Sequence, residues 1–277
     1  MSTPERTPMS GFRILLAREL RANLRSALSW MVPVAGLLAL TCALQPSFAG
    51  NGGLLEAKIQ AMPEAMRRGL GLALVDFQRP AAYLAANFLF VSLTGALFAA
   101  LLGAGVVARE ETLHTAELLY AQPVSRAQVL AGKAAAVALY ALAFPLAMGA
   151  VAVPILAAVA ARPVEPGLMI ALFAGAAAVN LAFAGAGMLA AALVREPRSA
   201  AGVALALALG TYFVGVISAI AATAAPLRWL SPYKLVEPAA IVARGGLDPV
   251  AGIALVGLGL ALVAAAIAGY RRRDLHA

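Results

Sequence analysis

The sequence predicts an all-α integral membrane protein with six transmembrane helices. Its 277 residues are 62% hydrophobic and only 12% charged, whereas soluble domains carry about 25% charged residues. Six stretches of 18 to 28 residues contain no Asp, Glu, Lys, Arg or His, and about 20 apolar residues are enough to cross a hydrocarbon core. The predicted spans are residues 28–45, 83–108, 134–161, 167–194, 200–224 and 250–269.

The distribution of Lys and Arg predicts that both termini are cytoplasmic. The segments on the side of the termini hold 13 of the 21 basic side chains, and the segments on the other side hold eight. Short loops rich in Lys and Arg stay on the cytoplasmic side of a membrane. The net charge of +8 follows from this bias, and because the basic residues are spread over several segments, no nucleic-acid partner is predicted.

The chain before the first span is predicted to form a cytoplasmic amphipathic helix on the membrane surface, over residues 1–27. Phe12 and four leucines recur there at every fourth residue, and arginines occupy another face. These arginines are Arg18, Arg21 and Arg25. The alternative is that this helix extends the first span into the cytoplasm. A six-helix transmembrane domain, residues 28–269, follows, and a basic cytoplasmic tail, residues 270–277, ends the chain.

The predicted spans contain hydroxyl and amide groups but no ionisable carboxylate, amine or imidazole. Ion pumps and secondary transporters usually carry ionisable groups there, so the energy for any uphill transport would come from outside the bilayer. The polar groups either bond helices together or line a transport path. The candidates for lining a path are Asn87, Tyr140, Asn180 and Tyr212.

Small residues are frequent in the spans and predict closely packed helices or a dimer. The glycines concerned are Gly103, Gly105, Gly185, Gly187, Gly257 and Gly259.

The chain carries no recognisable catalytic motif. A phosphate-binding loop is absent, because Gly132-Lys133 is followed by Ala134 and lacks the upstream glycine. No zinc-binding helix or nucleophile elbow occurs in the sequence either. We therefore expect that the chain is not an enzyme and that it binds neither a cofactor nor a metal ion.

The segment between the second and third spans, residues 109–133, is longer than a simple helix connection needs. Leucines and glutamates at helical spacing precede Pro123 there, which predicts a short amphipathic helix parallel to the membrane. Its leucines could fill a groove on another protein. The alternative is a solvated loop whose leucines touch lipid headgroups.

This segment resembles the "EExxxGTxELLLAxPVSRxxxLxGK" pattern of type-2 ATP-binding-cassette permeases. The matching residues are Glu110-Glu111, Thr115, Glu117-Leu118-Leu119, Gln122 to Arg126 and Gly132-Lys133, with His114 where the family has Gly. Three further stretches resemble the family's "SPFKYF", "GGLDP" and "RRDL" sequences. They are Ser231 to Lys234, Gly245 to Pro249 and Arg271 to Leu275.

The resemblance implies the permease subunit of an ATP-driven exporter in a bacterial inner membrane. It implies a pair of six-span subunits, identical or homologous, above two cytosolic ATPase subunits that bind ATP and Mg. Residues 109–133 would then form the coupling helix in a groove of the ATPase. The residues assigned to coupling are Glu110, Glu111, Leu113, Thr115, Glu117, Leu118, Leu119, Pro123 and Arg126. The outer segments 54–75 and 225–249 would form short helices that either close a transport path or seal the dimer.

A second hypothesis is that the chain is a non-transporting membrane anchor or assembly factor. Such a protein would recruit a cytosolic partner through residues 109–133 and would need no continuous polar path.

Overall fold

A computed structural model describes residues 8–50, 57–69, 76–112, 126–194 and 196–271, and all regular structure in these ranges is helical. Six helices are long and apolar enough to cross a membrane, which confirms the predicted fold class. The α-helices are α1 (Pro8–Ala43), α2 (Gln45–Gly50), α3 (Glu64–Gly69), α4 (Pro80–Ala86), α5 (Leu89–Thr112), α6 (Arg126–Val159), α7 (Pro166–Leu193), α8 (Pro197–Ile220), α9 (Pro232–Leu235), α10 (Pro238–Arg244) and α11 (Pro249–Arg271).

Helix α7 lies at the centre of the bundle. In its most apolar 18-residue stretch 72% of the residues are buried, against 17% in α11. It packs against α5, α6, α8 and α11. The four neighbours therefore surround α7. The apolar outer faces of α8 and α11 are exposed on the outside of the subunit.

Glycines bring α7 into backbone contact with two of these neighbours. A side chain at Gly187 would collide with the carbonyl oxygen of Ala100 in α5, and one at Gly185 would collide with the carbonyl oxygen of Gly259 in α11. Gly103 of α5 likewise faces the backbone of α7. Absence of a Cβ lets helices approach this closely in a membrane. At two other predicted contact glycines, Gly105 and Gly257, an added Cβ would meet nothing within 4 Å.

Helix α1 runs without a break from Pro8 through the predicted start of the first span at residue 28. The predicted amphipathic helix, where it is described, and the first span are thus one helix. No glycine or proline lies between Gly11 and Pro33, so nothing in the backbone ends the helix in this interval. The three arginines Arg18, Arg21 and Arg25 are exposed along it.

The second predicted span, residues 83–108, is divided into α4 and α5 at Asn87. The Asn87 Nδ2 donates a hydrogen bond of 2.9 Å to the carbonyl oxygen of Tyr83. The chain makes a turn at residues 87–88 between the two helices, inside an uncharged stretch. Helix α5 then continues beyond residue 108 to Thr112.

Two ends of the bundle can be distinguished by their contacts. We define the terminal end as the end formed by the first half of α1, the last turns of α5 and the first turns of α6. At the opposite end the loops are joined by ion pairs: Arg79 Nε lies 2.8 Å from Glu165 Oε1, and Arg162 Nη1 lies 3.0 Å from Asp76 Oδ2. The hydrogen bond to Glu165 raises the pKa of Arg79 above its usual value.

The predicted outer segments contain short helices where they are described. Within 54–75, α3 packs against α8. Residues 225–249 contain most of a 3₁₀ helix (Ala222–Leu230), followed by α9 and α10. These elements pack beside α4, α7 and α8 at the opposite end.

Candidate functional site

The predicted coupling segment begins and ends in helices of the terminal end. Glu110 and Glu111 lie in the last turn of α5, and Arg126 is the first residue of α6; the structure describes their backbone. Helix α6 continues from Arg126 directly into the third span. The other residues assigned to coupling lie outside the described residues. They are Leu113, Thr115, Glu117, Leu118, Leu119 and Pro123.

Three of the four path candidates donate hydrogen bonds to backbone carbonyls. Asn87 bonds to its own helix, as described for α4. The Tyr140 hydroxyl donates to the carbonyl of Leu20, which joins α6 to α1. Asn180 Nδ2 donates to the carbonyl of Ala141 at 3.2 Å, which joins α7 to α6. These three side chains bind helices or helix turns together in the single subunit.

Asn180 is the most enclosed of the candidates. Only 1% of its surface is exposed, and its Oδ1 accepts no hydrogen bond from the described residues. It lies against Gly95 of α5, where a Cβ would come within 2.9 Å of the amide. A buried polar atom without a partner is costly and therefore marks a position where a role in function or in binding a molecule can be tested.

Tyr212, the fourth candidate, lines a cavity of about 90 Å³ near the opposite end. Helices α4, α5, α7, α8, α9 and α10 contribute its walls, which are mostly apolar. The Tyr212 ring meets the ring of Tyr233 edge-on, with centroids 5.8 Å apart. Burial raises the pKa of Tyr233 above its usual value. One end of the cavity carries an ion pair in which Lys234 Nζ lies 2.6 Å from Glu237 Oε1.

A second cavity, of about 210 Å³, lies between α1 and α5 at the terminal end. Its walls include Asn23 and Trp30 of α1 and Phe98, Gly105 and Val106 of α5. Helix α5 also lines the first cavity through Leu89 and Ser92. Cavities at two depths thus share α5 as a wall.

Sequence analysis missed a buried polar cluster at the terminal end. Lys133 Nζ donates to the carbonyl oxygen of Val106 at 2.7 Å and lies 3.3 Å from Glu19 Oε1. The side chains of Lys133 and Glu19 are only 2% and 7% exposed. Asn23 Nδ2 donates to the carbonyl of Glu19 at 2.8 Å. The cluster joins α1, α5 and α6 at the base of the coupling segment.

These features define a class: a six-span membrane protein whose second and third spans are connected at the end that carries the start of α1. Residues 13–275 match the sequence pattern of the family described as "ABC-2 family transporter protein". The chain therefore belongs to the ABC-2 family of membrane transporter proteins. No curated protein matches the sequence.

Membership fixes the general role of the chain. Proteins of this family are membrane components of ATP-binding-cassette transporters and do not themselves carry the ATPase. The family thus implies an ATPase partner for this chain. The six apolar helices agree with a multi-pass permease component.

Proposed function

We propose that the chain is the permease subunit of an ATP-driven exporter in a bacterial inner membrane, with the terminal end in the cytoplasm. It pairs with a second permease, identical or homologous, and with two cytosolic ATPase subunits that bind ATP and Mg. The observation that carries the proposal is the family match over residues 13–275, which spans all six long helices.

In this proposal residues 109–133 form the coupling helix. The segment is held between the ends of α5 and α6, so a force applied to it acts directly on two spans. Leu113, Leu118 and Leu119 supply apolar area, worth about 25 cal/mol per Å² buried before the costs of association. Exposed ion pairs contribute only about 0–1 kcal/mol. The leucines are therefore expected to determine affinity, and Glu110, Glu111 and Glu117 the orientation on the ATPase.

The transport path is proposed to follow α5 towards the second permease. Both cavities have α5 as a wall; the first is lined mainly by apolar surface and the second by polar and apolar surface in about equal parts. Closing of the ATPase subunits would shift the permease between two conformations by binding one of them more tightly. Tyr212, at the cavity of the opposite end, is then a residue of the exit, and segments 54–75 and 225–249 border that exit.

The test is purification of the tagged chain in mild detergent with its co-purifying proteins, followed by an ATP hydrolysis assay. We expect a stoichiometric ATPase whose recovery is lost on deletion of residues 110–119. Leu118→Asp is expected to abolish permease-dependent stimulation of hydrolysis without reducing membrane insertion, because a charge replaces an apolar contact. Ala121→Asp, which adds the same charge to the same segment at a residue not assigned to coupling, is the matched control and should change stimulation much less.

Unchanged stimulation in Leu118→Asp would contradict the coupling assignment. Recovery of a folded chain without any ATPase would instead favour a membrane anchor that recruits another partner through residues 109–133.

A further inference from the structure

A single side chain of α6, Lys133, joins α6 both to α5 and to α1 beside the proposed coupling segment. Lys133 of α6 bonds to the Val106 carbonyl of α5 and pairs with Glu19 of α1. Val106 lies six residues before the end of α5 at Thr112, and Lys133 lies seven residues after the start of α6 at Arg126. Lys133 is thus the last residue of the proposed coupling segment, residues 109–133, and Val106 lies three residues before its start.

The burial of this pair makes the connection stiff. Removing one partner of a buried pair leaves an unpaired charge, which costs far more than loss of an exposed pair. Neighbouring contacts hold the same two helices: Gly132 of α6 allows Leu15 of α1 to approach, and Tyr140 donates to the carbonyl of Leu20. Sliding α6 past α1 would break these contacts together.

Helix α1 also reaches the opposite end of the bundle. Its Thr41 carbonyl accepts a 2.7 Å hydrogen bond from the Tyr83 hydroxyl of α4, and α4 contributes Ala85 and Ala86 to the cavity that Tyr212 lines. Glu19 and Thr41 lie on one continuous helix, about 33 Å apart at 1.5 Å per residue. Displacement of α1 at Glu19 would therefore also displace α4 beside that cavity.

We propose that Lys133 and Glu19 are positioning residues that make α1 move with the coupling segment. The proposal rests on the proposed function and adds a route by which ATPase closure reaches the opposite end. The ion pair holds α1 to α6, the hydrogen bond to the Val106 carbonyl holds α6 to α5, and α1 carries the displacement to α4.

The experiment uses the complex of the chain with its co-purifying ATPase, with MgATP as the probe. Three variants are compared: Lys133→Met, Glu19→Leu and the double variant. The measurements are the thermal unfolding midpoint, the amount of ATPase bound and the permease-dependent stimulation of hydrolysis. Arg79→Met, which removes an ion pair at the opposite end, is the matched control and should keep full stimulation.

The single variants are expected to lower both the midpoint and the stimulation. The double variant removes both charges of this pair, so its midpoint should lie above those of the single variants, because an apolar pair often replaces a buried ion pair without loss of stability. Its stimulation should stay about twofold to thirtyfold below wild type, the range that substitutions between coupled sites give. Lys133→Arg keeps the charge and the hydrogen-bond donors. Its stimulation of hydrolysis should therefore remain higher than that of Lys133→Met.

Recovery of full stimulation together with the midpoint in the double variant would overturn the proposal, because the pair would then be a structural contact alone. Wild-type stimulation in both single variants would overturn it as well. These results differ from failure of the proposed function, in which the wild-type chain would bind no ATPase at all.

Discussion

The glycine contacts of α7 predict opposite effects for two substitutions that are two residues apart in α11. A Cβ at Gly259 would lie 2.7 Å from the carbonyl oxygen of Leu181 and 2.9 Å from its carbonyl carbon, whereas a Cβ at Gly257 would have nothing within 4 Å. Because Gly259 faces backbone, no side chain can turn away. Gly259→Ala therefore requires α7 and α11 to separate by about 0.7 Å to restore ordinary contact distances.

The difference between the two variants isolates the cost of this separation. Gly to Ala in a helix gains about 1 kcal/mol of helix propensity, and this gain applies to both positions. Overpacking a tight interface costs about 1–3 kcal/mol, and it applies to Gly259 alone. At about 2–4 °C per kcal/mol, the unfolding midpoint of Gly259→Ala should lie about 2–12 °C below that of Gly257→Ala.

The assay is thermal unfolding in one mild detergent, followed by far-ultraviolet circular dichroism, with wild type and both variants measured side by side. Gly257→Ala should unfold at or slightly above the wild-type midpoint. Equal midpoints for the two variants, or a lower one for Gly257→Ala, would refute the close approach of α7 and α11.

Two other predictions concern the polar groups of the helices. In a Cys42→Ala background, Tyr212→Cys should react with a water-soluble maleimide faster than Asn180→Cys, because Tyr212 lines a cavity whereas Asn180 is 1% exposed; equal rates would contradict this difference in access. Burial raises the pKa of Tyr233, so its contribution to stability is present below the unfolded-state pKa of about 10 and is lost as the pH rises further. The midpoint of wild type should therefore fall more steeply above about pH 10 than that of Tyr233→Phe, and parallel curves would contradict the assignment.

The sequence predicts the six helices well because the absence of charge is a strong constraint in a membrane. The fourth span, predicted at 167–194, is found as α7 over Pro166–Leu193. The division at Asn87 could not be predicted in the same way, since the stretch remains uncharged on both sides of it. Helix α4 ends in a turn at residues 87–88, and apolar composition carries no information about where such a turn falls.

The packed face of α1 illustrates a second limit of sequence analysis. The leucines at every fourth residue of α1 predict which face of the helix is removed from water. Yet Leu24 and Leu28 are each 48% exposed in the structure. The buried residues are Glu19, Asn23 and Ala27. In lipid an apolar side chain loses nothing by facing outwards, so hydrophobicity does not identify the face that contacts other helices. The spacing of Glu19 and Asn23 by four residues was the available indication, because two polar groups on one face of a membrane helix are costly unless they have partners.

The bundle thus combines two kinds of helix contact with different mechanical properties. Helix α7 meets α5 and α11 through glycines and backbone atoms, and such interdigitated contacts leave little room to slide. Helix α1 meets α6 through a buried ion pair and a tyrosine hydroxyl, so these two helices are held together by side chains and not by close backbone approach. A conformational change driven from the α5–α6 connection is therefore expected to keep α7 and α11 together and to move α1 together with α6.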